Sequence, residues 1–210
     1  MNINFNIIIQ KLKDDKFCIV DFNSVEEAME CCHLISLTLG TKYTMFTISN
    51  KDGVELPAHT EMIYSQNLIN YFMILMLSPC DKGGDFVIYD ARSAANKLLS
   101  ILPEIKDTTI KIKSKSRSYS LIRNLIDISG SLVFSDTESL SFDKNSTSFS
   151  DEQLTSLIKN ILAESVLANL NLKRNQLVIV DNLFTLHSRK SYTGSRLAIR
   201  YRIDDNTLEI

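Results

Sequence analysis

His59 and Glu61, in the stretch "LPAHTEM" (56–62), place an imidazole and a carboxylate two residues apart. If this stretch is extended, its side chains alternate, so His59 and Glu61 lie on one face and Thr60 on the other. An imidazole and a carboxylate on one face are two of the ligands that a metal ion takes. The same spacing also occurs on the solvated edge of a strand, so the pair alone leaves both interpretations open.

A third ligand has to come from elsewhere in the chain, which holds two other histidines, His33 and His187. His33 lies inside a helical pattern and is interpreted as a helix-face or core residue. His187 follows directly on the apolar stretch "LVIVDNLFTLH". Two histidines and one carboxylate on one side of an octahedral metal leave three positions open, as in non-haem Fe(II) oxygenases. The predicted metal ligands are therefore His59, Glu61 and His187; a zinc hydrolase with the same ligands is a rival, but it gives the nearby arginines no role.

The stretch "RLAIRYRI" (196–203) alternates as a strand with an apolar face and an arginine face. The arginine face consists of Arg196, Ala198, Arg200 and Arg202. A solvated edge strand is one interpretation. If the strand instead pairs beside that of His187, the small Ala198 leaves room between two guanidinium groups aimed at the metal. Because a buried guanidinium binds a carboxylate bidentately, this arrangement predicts a dicarboxylate co-substrate on an arginine.

The elements that must position these side chains are many short strands and a few helices. Helices are predicted at 24–40, 93–105 (ending at Pro103) and 151–172, from their caps and apolar periodicity. Strands are predicted at 42–50, 68–77, 83–91, 108–114, 129–135, 175–182 and 196–203. A "KDG" turn is expected at 51–53, a Gly-Gly turn before the strand at 83–91, and a mobile loop at 135–153. The pattern predicts a β-rich (α+β) sandwich or barrel buttressed by helices.

Composition narrows the class of protein. With 210 residues and 44% hydrophobic residues, the chain is expected to form one domain, 1–210. The net charge of -2 gives no sign of a nucleic-acid partner, and the basic stretch 110–123 is interpreted as a solvated face or loop. The N-terminus lacks the features of a signal peptide, and the most apolar stretch is about half the length that crosses a bilayer. Four cysteines without a CxxC pair are expected to be reduced, so we expect a cytoplasmic protein without membrane contact.

Three blocks of the sequence resemble the taurine dioxygenase/clavaminate synthase-like superfamily of Fe(II)- and 2-oxoglutarate-dependent oxygenases. They are "LPAHTEMIY", "GGDFVIYDA" and "LKRNQLVIVDNLFTLHSRKSYTGSRLAIRYRI", in family order. The last is the most specific, with an "HxRxxYxGxR" turn and a second arginine four residues on. The resemblance implies a double-stranded β-helix, or jelly-roll, flanked by helices, with iron at its mouth.

By position, the resemblance implies that His59, Glu61 and His187 bind Fe(II). It implies that Arg196 binds the distal carboxylate of 2-oxoglutarate. Arg200 matches the arginine placed near the other end of the co-substrate or near the primary substrate, a cofactor-binding and catalytic position. The implied cofactors are Fe(II), 2-oxoglutarate as co-substrate, and O2.

One departure from the family concerns the co-substrate. Where the family often has threonine after "GGD", this chain has Phe86. Either Arg196 holds 2-oxoglutarate with help from Thr185, Ser191 or Tyr192, or the co-substrate pocket is altered. Three further residues carry alternative interpretations: Asp181 and Asn182 as supports of the ligands or as a strand-ending turn, and Arg189 as a surface or scaffold arginine.

The implied activity is hydroxylation, or desaturation, of a small amino-acid-like metabolite, free or attached to a carrier, with release of succinate and CO2. A positive Arg200 near the mouth suits a substrate carboxylate. The alternative from another class is a catalytically silent jelly-roll that binds a small acid or a protein partner, which Phe86 and the short chain favour. Intact His59, Glu61, His187 and Arg196 argue against it.

Overall fold

The structure is a computed structural model and describes residues 4–40, 42–113, 120–136, 139–143 and 149–204. Its helices are α1 (Phe5–Asp15), α2 (Val25–Leu39), α3 (Ala91–Ile101) and α4 (Asp151–Ala163), with a 3-10 helix at Pro103–Asp107. The strands up to α3 are β1 (Phe17–Asp21), β2 (Lys42–Gly53), β3 (Leu56–His59), β4 (Tyr71–Ser78), β5 (Lys82–Gly83) and β6 (Phe86–Asp90). The later strands are β7 (Thr109–Lys113), β8 (Ser120–Asn124), β9 (Ser139–Phe142), β10 (Val166–Leu170), β11 (Gln176–Asp181), β12 (Thr185–Arg189) and β13 (Tyr192–Asp204).

Two antiparallel sheets face each other across an apolar layer. The first has the order β1-β11-β4-β13-β2, with β5 paired to β13, and the second has the order β10-β6-β12-β3. A smaller sheet, β8-β7-β9, lies in the segment between β6 and β10. The inner layer joins side chains of both large sheets, among them Phe72, Ile74, Met76, Phe86, Ile88, Val178, Val180 and Ala198. The predicted β-rich jelly-roll with flanking helices is confirmed.

Apolar packing on both faces explains the uninterrupted apolar run of β11. Val178 and Val180 point into the inner layer, whereas Leu177 and Ile179 pack outward. The outer face of the first sheet is covered by α1 and α2, and α3 and α4 belong to a core that includes Leu186 of the second sheet. A strand buried on both faces loses the polar alternation of a half-exposed strand.

The helix predicted at 24–40 is confirmed as α2, whose N-cap Ser24 accepts a hydrogen bond from the Glu27 amide. The strand predicted at 42–50 is β2, but the turn predicted at 51–53 is wrong. Lys51 and Gly53 continue the strand by pairing with β13. The Gly-Gly entry into β6 is confirmed, because Gly83 and Gly84 both have positive φ and a Cβ at Gly83 would lie 2.3 Å from a backbone oxygen.

Three other predictions need correction. The helix predicted at 151–172 ends at Ala163, and the following β10 pairs with β6 along the edge of the second sheet. Residues 129–135 form isolated bridges rather than a strand. The loop predicted at 135–153 contains β9; its residues 137–138 and 144–148 lie outside the described residues, as do residues 114–119 of the basic stretch.

The pairing proposed for β13 is also wrong, although its two faces are as predicted. β13 pairs with β4 and β2 in the first sheet, whereas β12, which carries His187, pairs with β3 and β6 in the second. Ile199, Tyr201 and Ile203 pack outward and Ala198 inward. The arginine face therefore reaches the histidines across the interior of the jelly-roll. Among the described helices, none is both long and apolar enough to span a membrane.

Candidate metal and co-substrate site

The two candidate histidines lie side by side because of strand register. His187 of β12 is the direct cross-strand partner of His59 at the end of β3. Side chains of directly opposed residues on one face lie about 5 Å apart at Cβ. The ring centroids of His59 and His187 are 4.2 Å apart.

Glu61 reaches the same point by a different route from the one predicted. β3 ends at His59, so Glu61 is not on an extended strand, and Met62 just after it has a φ of 57°. The side chain of Asn182 holds this bend: its Oδ1 accepts from Glu61 N at 2.9 Å, and its Nδ2 donates to the carbonyl oxygens of Glu61 and Ile69. Asn182 thus supports the backbone of a candidate ligand, and it also lies in the turn that ends β11, so both features considered for it are present.

Three candidate ligand atoms converge. One donor atom from each of His59, Glu61 and His187 lies within 4.8 Å of the others. Glu61 Oε2 is 3.4 Å from His187 Nε2 and 3.8 Å from His59 Nε2. Glu61 and His187 are buried, at 2% and 1% exposure. A group of two imidazoles and one carboxylate matches the ligand set of non-haem Fe(II) sites.

The protonation of the two rings suits metal binding. His59 Nδ1 lies 2.9 Å from the carbonyl oxygen of Pro57, which accepts but cannot donate, so the proton belongs on Nδ1 and the lone pair on Nε2. Burial lowers the pKa of His59 to about 3 and also lowers the pKa of His187. Neither nitrogen of the His187 ring has a hydrogen-bond partner among the described residues. Both rings are therefore neutral at neutral pH, which is the form of histidine that binds a metal.

Two arginines of β13 neutralise the buried carboxylate. Arg200 Nη1 donates to Glu61 Oε2 at 3.0 Å, and Arg202 Nε donates to Oε1 at 2.7 Å. Burial by itself raises the pKa of Glu61, but contacts with His187, Arg200 and Arg202 outweigh it and hold that pKa well below its usual range. Sequence reasoning placed Arg202 on the correct face but gave it no role.

Arg196 lies in a separate, strongly cationic part of the interior. It is 4% exposed, and its Nε has no hydrogen-bond partner among the described residues. Burial and the nearby guanidinium of Arg189 lower its pKa. The guanidinium carbon of Arg196 lies 5.9 Å from the centre of the Tyr192 ring. The hydroxyl of Tyr192 is buried and has no hydrogen-bond partner in the described chain. Positive groups buried without a carboxylate favour binding of an anion.

The cavity beside Arg196 is small. Its volume is about 20 Å³, with Met76, Cys80, Gly84 and Leu172 among its lining residues. A space of this size holds a single water molecule. A carboxylate group is larger than one water molecule, so an organic dicarboxylate can enter this space only if the surrounding side chains move.

Phe86 takes part in an aromatic cluster on His187. The His187 ring lies 4.4 Å from that of Phe72 and 5.3 Å from that of Phe86. Phe86 is buried and contributes to the inner apolar layer, so this part of the interior has no hydroxyl at that position. The departure from the family pattern thus falls beside a candidate metal ligand.

The residues suggested as helpers of Arg196 have different surroundings. The Thr185 hydroxyl donates to Asp181 O within the turn between β11 and β12, and Ser191 accepts through its carbonyl from Gly84 N. Tyr192 is the one that lies against Arg196. Arg189 donates to Val54 O and stacks at 4.8 Å on the Tyr192 ring, which fits its scaffold interpretation.

Comparison with known proteins agrees with this geometry. The model of the family described as taurine catabolism dioxygenase TauD, TfdA family matches residues 33–202. The chain belongs to the TauD/TfdA family. The protein is accordingly an enzyme, a dioxygenase that depends on Fe(II) and 2-oxoglutarate and uses O2. No curated protein matches the chain.

Solved structures with a similar fold align over nearly the whole of this chain. The chain is similar to PvcB from Pseudomonas aeruginosa, with a TM-score of 0.71 at 15% identity over 96% of this chain and 80% of that one. A second PvcB structure, described as an Fe, alpha-ketoglutarate dependent oxygenase from an isonitrile synthetic pathway, gives 0.72 at 14% identity with the same coverage. A taurine dioxygenase from Burkholderia xenovorans gives 0.74 at 15% identity over 98% of this chain and 84% of that one. At these identities the similarity concerns the fold.

Proposed function

We propose that His59, Glu61 and His187 hold Fe(II), and that the enzyme hydroxylates or desaturates a small amino-acid-like metabolite, free or attached to a carrier. The observation that carries the proposal is the convergence of three ligand atoms within 4.8 Å in a buried site. When bound, the iron and its co-substrate would supply the oxidising power: 2-oxoglutarate and O2 give succinate and CO2, and the second oxygen atom enters the substrate in hydroxylation or leaves as water in desaturation. The protein contributes ligands, orientation and exclusion of water.

Arg196 is assigned to the distal carboxylate of 2-oxoglutarate. Its burial and its lack of a carboxylate partner in the described chain support the assignment, because an anion would relieve the cost of burying the guanidinium. Tyr192 offers a hydroxyl on the same side. Since the cavity there is about 20 Å³, binding of the terminal carboxylate requires the surrounding side chains to move.

Arg200 is assigned to the anionic end of the substrate or of the co-substrate. It is more exposed than Glu61, at 14% against 2%, and donates to the oxygen that faces the two imidazoles. A guanidinium at this position attracts a carboxylate close to the metal. A metabolite with a carboxylate, such as an amino acid, fits that requirement.

The four cysteines are free thiols, which supports the cytoplasmic location expected from the sequence.

The metal and co-substrate assignment is tested by adding Fe(II) and 2-oxoglutarate without oxygen and recording the visible charge-transfer band of the chelate. We expect a band in the native protein and in His33→Ala, which removes the exposed histidine bonded to Tyr43. His59→Ala should lose the band, and Arg196→Gln should raise the 2-oxoglutarate concentration needed for it at least tenfold. Absence of the band in the native protein contradicts the proposal and favours a silent binding module.

Substrate class is tested separately by succinate release. Amino acids and their carrier-bound forms are screened for stimulation of 2-oxoglutarate turnover by the native enzyme. For any that stimulates, Arg200→Gln should raise the KM for that compound and Arg200→Lys should restore part of the loss. If neutral or cationic compounds stimulate and no carboxylate does, the assignment of Arg200 is wrong.

A further inference from the structure

Glu61 has two oxygens in unlike surroundings. Oε2 faces His59, His187 and Arg200, whereas Oε1 faces Arg202. Arg202 approaches Oε1 with two nitrogens, Nε and Nη2, each at 2.7 Å. One oxygen of the carboxylate is thus turned toward the candidate metal ligands while the other is held from the opposite side.

A glutamate ligand needs such a hold more than a shorter side chain would. Its carboxylate lies at the end of a flexible side chain, whose rotamer freedom must be given up for metal binding. The bend after β3 and Asn182 fix the backbone of Glu61, but neither contacts the carboxylate. Within the part of the chain that the structure describes, the ion-pair partners of the carboxylate other than the histidines are Arg200 and Arg202.

Arg202 is itself held firmly enough to fix the Glu61 carboxylate. It lies in β13, whose backbone pairs on both sides at this residue, with Thr44 of β2 and Phe72 of β4. Its guanidinium carbon lies 4.5 Å from the centre of the Phe46 ring, a cation–π distance. The paired strand and the Phe46 ring hold the Arg202 guanidinium in place, and the guanidinium in turn holds Glu61 Oε1.

We propose that Arg202 is a positioning residue for the metal site, one that holds Glu61 through Oε1 so that Oε2 is presented to the metal. The inference rests on the proposed function, because it takes Glu61 as a ligand. It differs from the role given to Arg200, which shares Oε2 with the histidines and is assigned to a bound anion. Partners that orient a ligand typically change metal affinity 10- to 100-fold when removed.

Whether metal affinity rises or falls when Arg202 is removed distinguishes a positioning role from a simple effect of its charge. A positive charge near the site repels a cation, so removing Arg202 should tighten metal binding if charge alone matters. If Arg202 positions Glu61, removing it should weaken binding, because the carboxylate regains its freedom. The two explanations predict opposite changes in the same measurement.

The experiment titrates the protein with Co(II), in the absence of 2-oxoglutarate, and follows its visible absorption. We expect Arg202→Gln to weaken Co(II) binding 10- to 100-fold and Arg202→Lys to fall between Arg202→Gln and the native protein. The matched control is Arg92→Gln, which removes an arginine that also stacks on a ring, that of Phe184, and donates to a backbone carbonyl. It should leave Co(II) affinity unchanged.

A second pair of variants isolates the contact. In a Glu61→Ala background, Arg202→Gln should not weaken Co(II) binding further, since there is no carboxylate to hold. Unchanged or tighter binding in Arg202→Gln alone overturns the inference, as does an equal weakening in the Glu61→Ala background. Failure of the native protein to bind Co(II) would overturn the metal site itself, which is a different result from native binding with an indifferent Arg202→Gln.

Discussion

Asp181 is a buried carboxylate whose ionisation works against folding. It is 8% exposed at the end of β11, where its Oδ1 accepts from Leu183 N. Burial raises its pKa to about 6, with the Leu183 hydrogen bond and Lys16 acting in the opposite direction. Because the folded state binds the proton more tightly than the unfolded state, the stability from this group is full below about pH 4 and is lost as pH rises through 6.

Asp181→Asn keeps an oxygen for Leu183 N and removes the charge. We expect its free energy of unfolding, measured in urea at pH 7.5, to exceed that of the native protein. The difference should be up to about 3 kcal/mol, which is the value of two pKa units. At pH 4 the advantage should vanish, since the native carboxyl is then protonated. Asp14→Asn, at an exposed carboxylate bonded by Gln10, is the control and should not raise the free energy of unfolding at pH 7.5. An advantage that is the same at both pH values contradicts the interpretation.

At the scale of elements, the site depends on the turn between β11 and β12 as much as on strand ends. Asn182, 1% exposed in that turn, makes three hydrogen bonds to the segment 61–69. It therefore joins the loop that carries Glu61 to the strand that carries His187. The proposed metal ligands Glu61 and His187 are thus connected by a side chain that is not itself a candidate ligand.

Asn182→Ala should leave the Glu61 amide and two carbonyl groups without partners. We expect a loss of at least about 3 kcal/mol in the free energy of unfolding, since each of the three buried unsatisfied groups costs about 1–3 kcal/mol. Co(II) affinity should fall as well, because the Glu61 backbone is released. Asn23→Ala, which removes an exposed asparagine bonded to Glu27, is the control. If stability falls while Co(II) affinity stays at the native value, Asn182 supports the fold and not the ligand.

How far the sequence predicts the elements depends on whether local signals suffice. The Ser24 cap and the apolar period of 25–39 lie within one segment, so α2 is predictable. The edge strand β10 is not, because Val166–Leu170 continues the apolar period of α4 and becomes a strand through its pairing with β6. The turn predicted at 51–53 failed for the same reason, since β13 extends far enough to pair with it.

In the site, too, the features set by local sequence were predictable and those set by the overall topology were not. The spacing of His59 and Glu61 and the position of His187 identified the three groups that converge, although Glu61 does so from a bend rather than from a strand. The arginine alternation in 196–203 predicted which side chains point inward. What the sequence could not supply is that β13 faces β12 across the jelly-roll, and hence that Arg202 meets Glu61. Contacts between sheets depend on the whole topology.

On the scale of the whole molecule, the candidate site lies where both large sheets meet. His187 belongs to the second sheet, Arg200 and Arg202 to the first, and Glu61 to the segment after β3. Metal binding should therefore stabilise both sheets together. If residues 1–210 form a single domain, as the length and composition predict, unfolding should be one cooperative transition that the metal shifts as a unit.

We expect Co(II) at 100 times its dissociation constant to stabilise the native protein by about 2.7 kcal/mol, because a ligand bound to the folded state alone adds RT ln(1 + [L]/Kd). For a chain of this size that corresponds to a rise in Tm of roughly 5–10 °C. Differential scanning calorimetry should show a single peak before and after addition. Glu61→Ala should lose most of the shift, and His33→Ala should keep it. Two peaks, of which one moves, would show that part of the chain folds independently of the site, and the single-domain prediction would then be wrong.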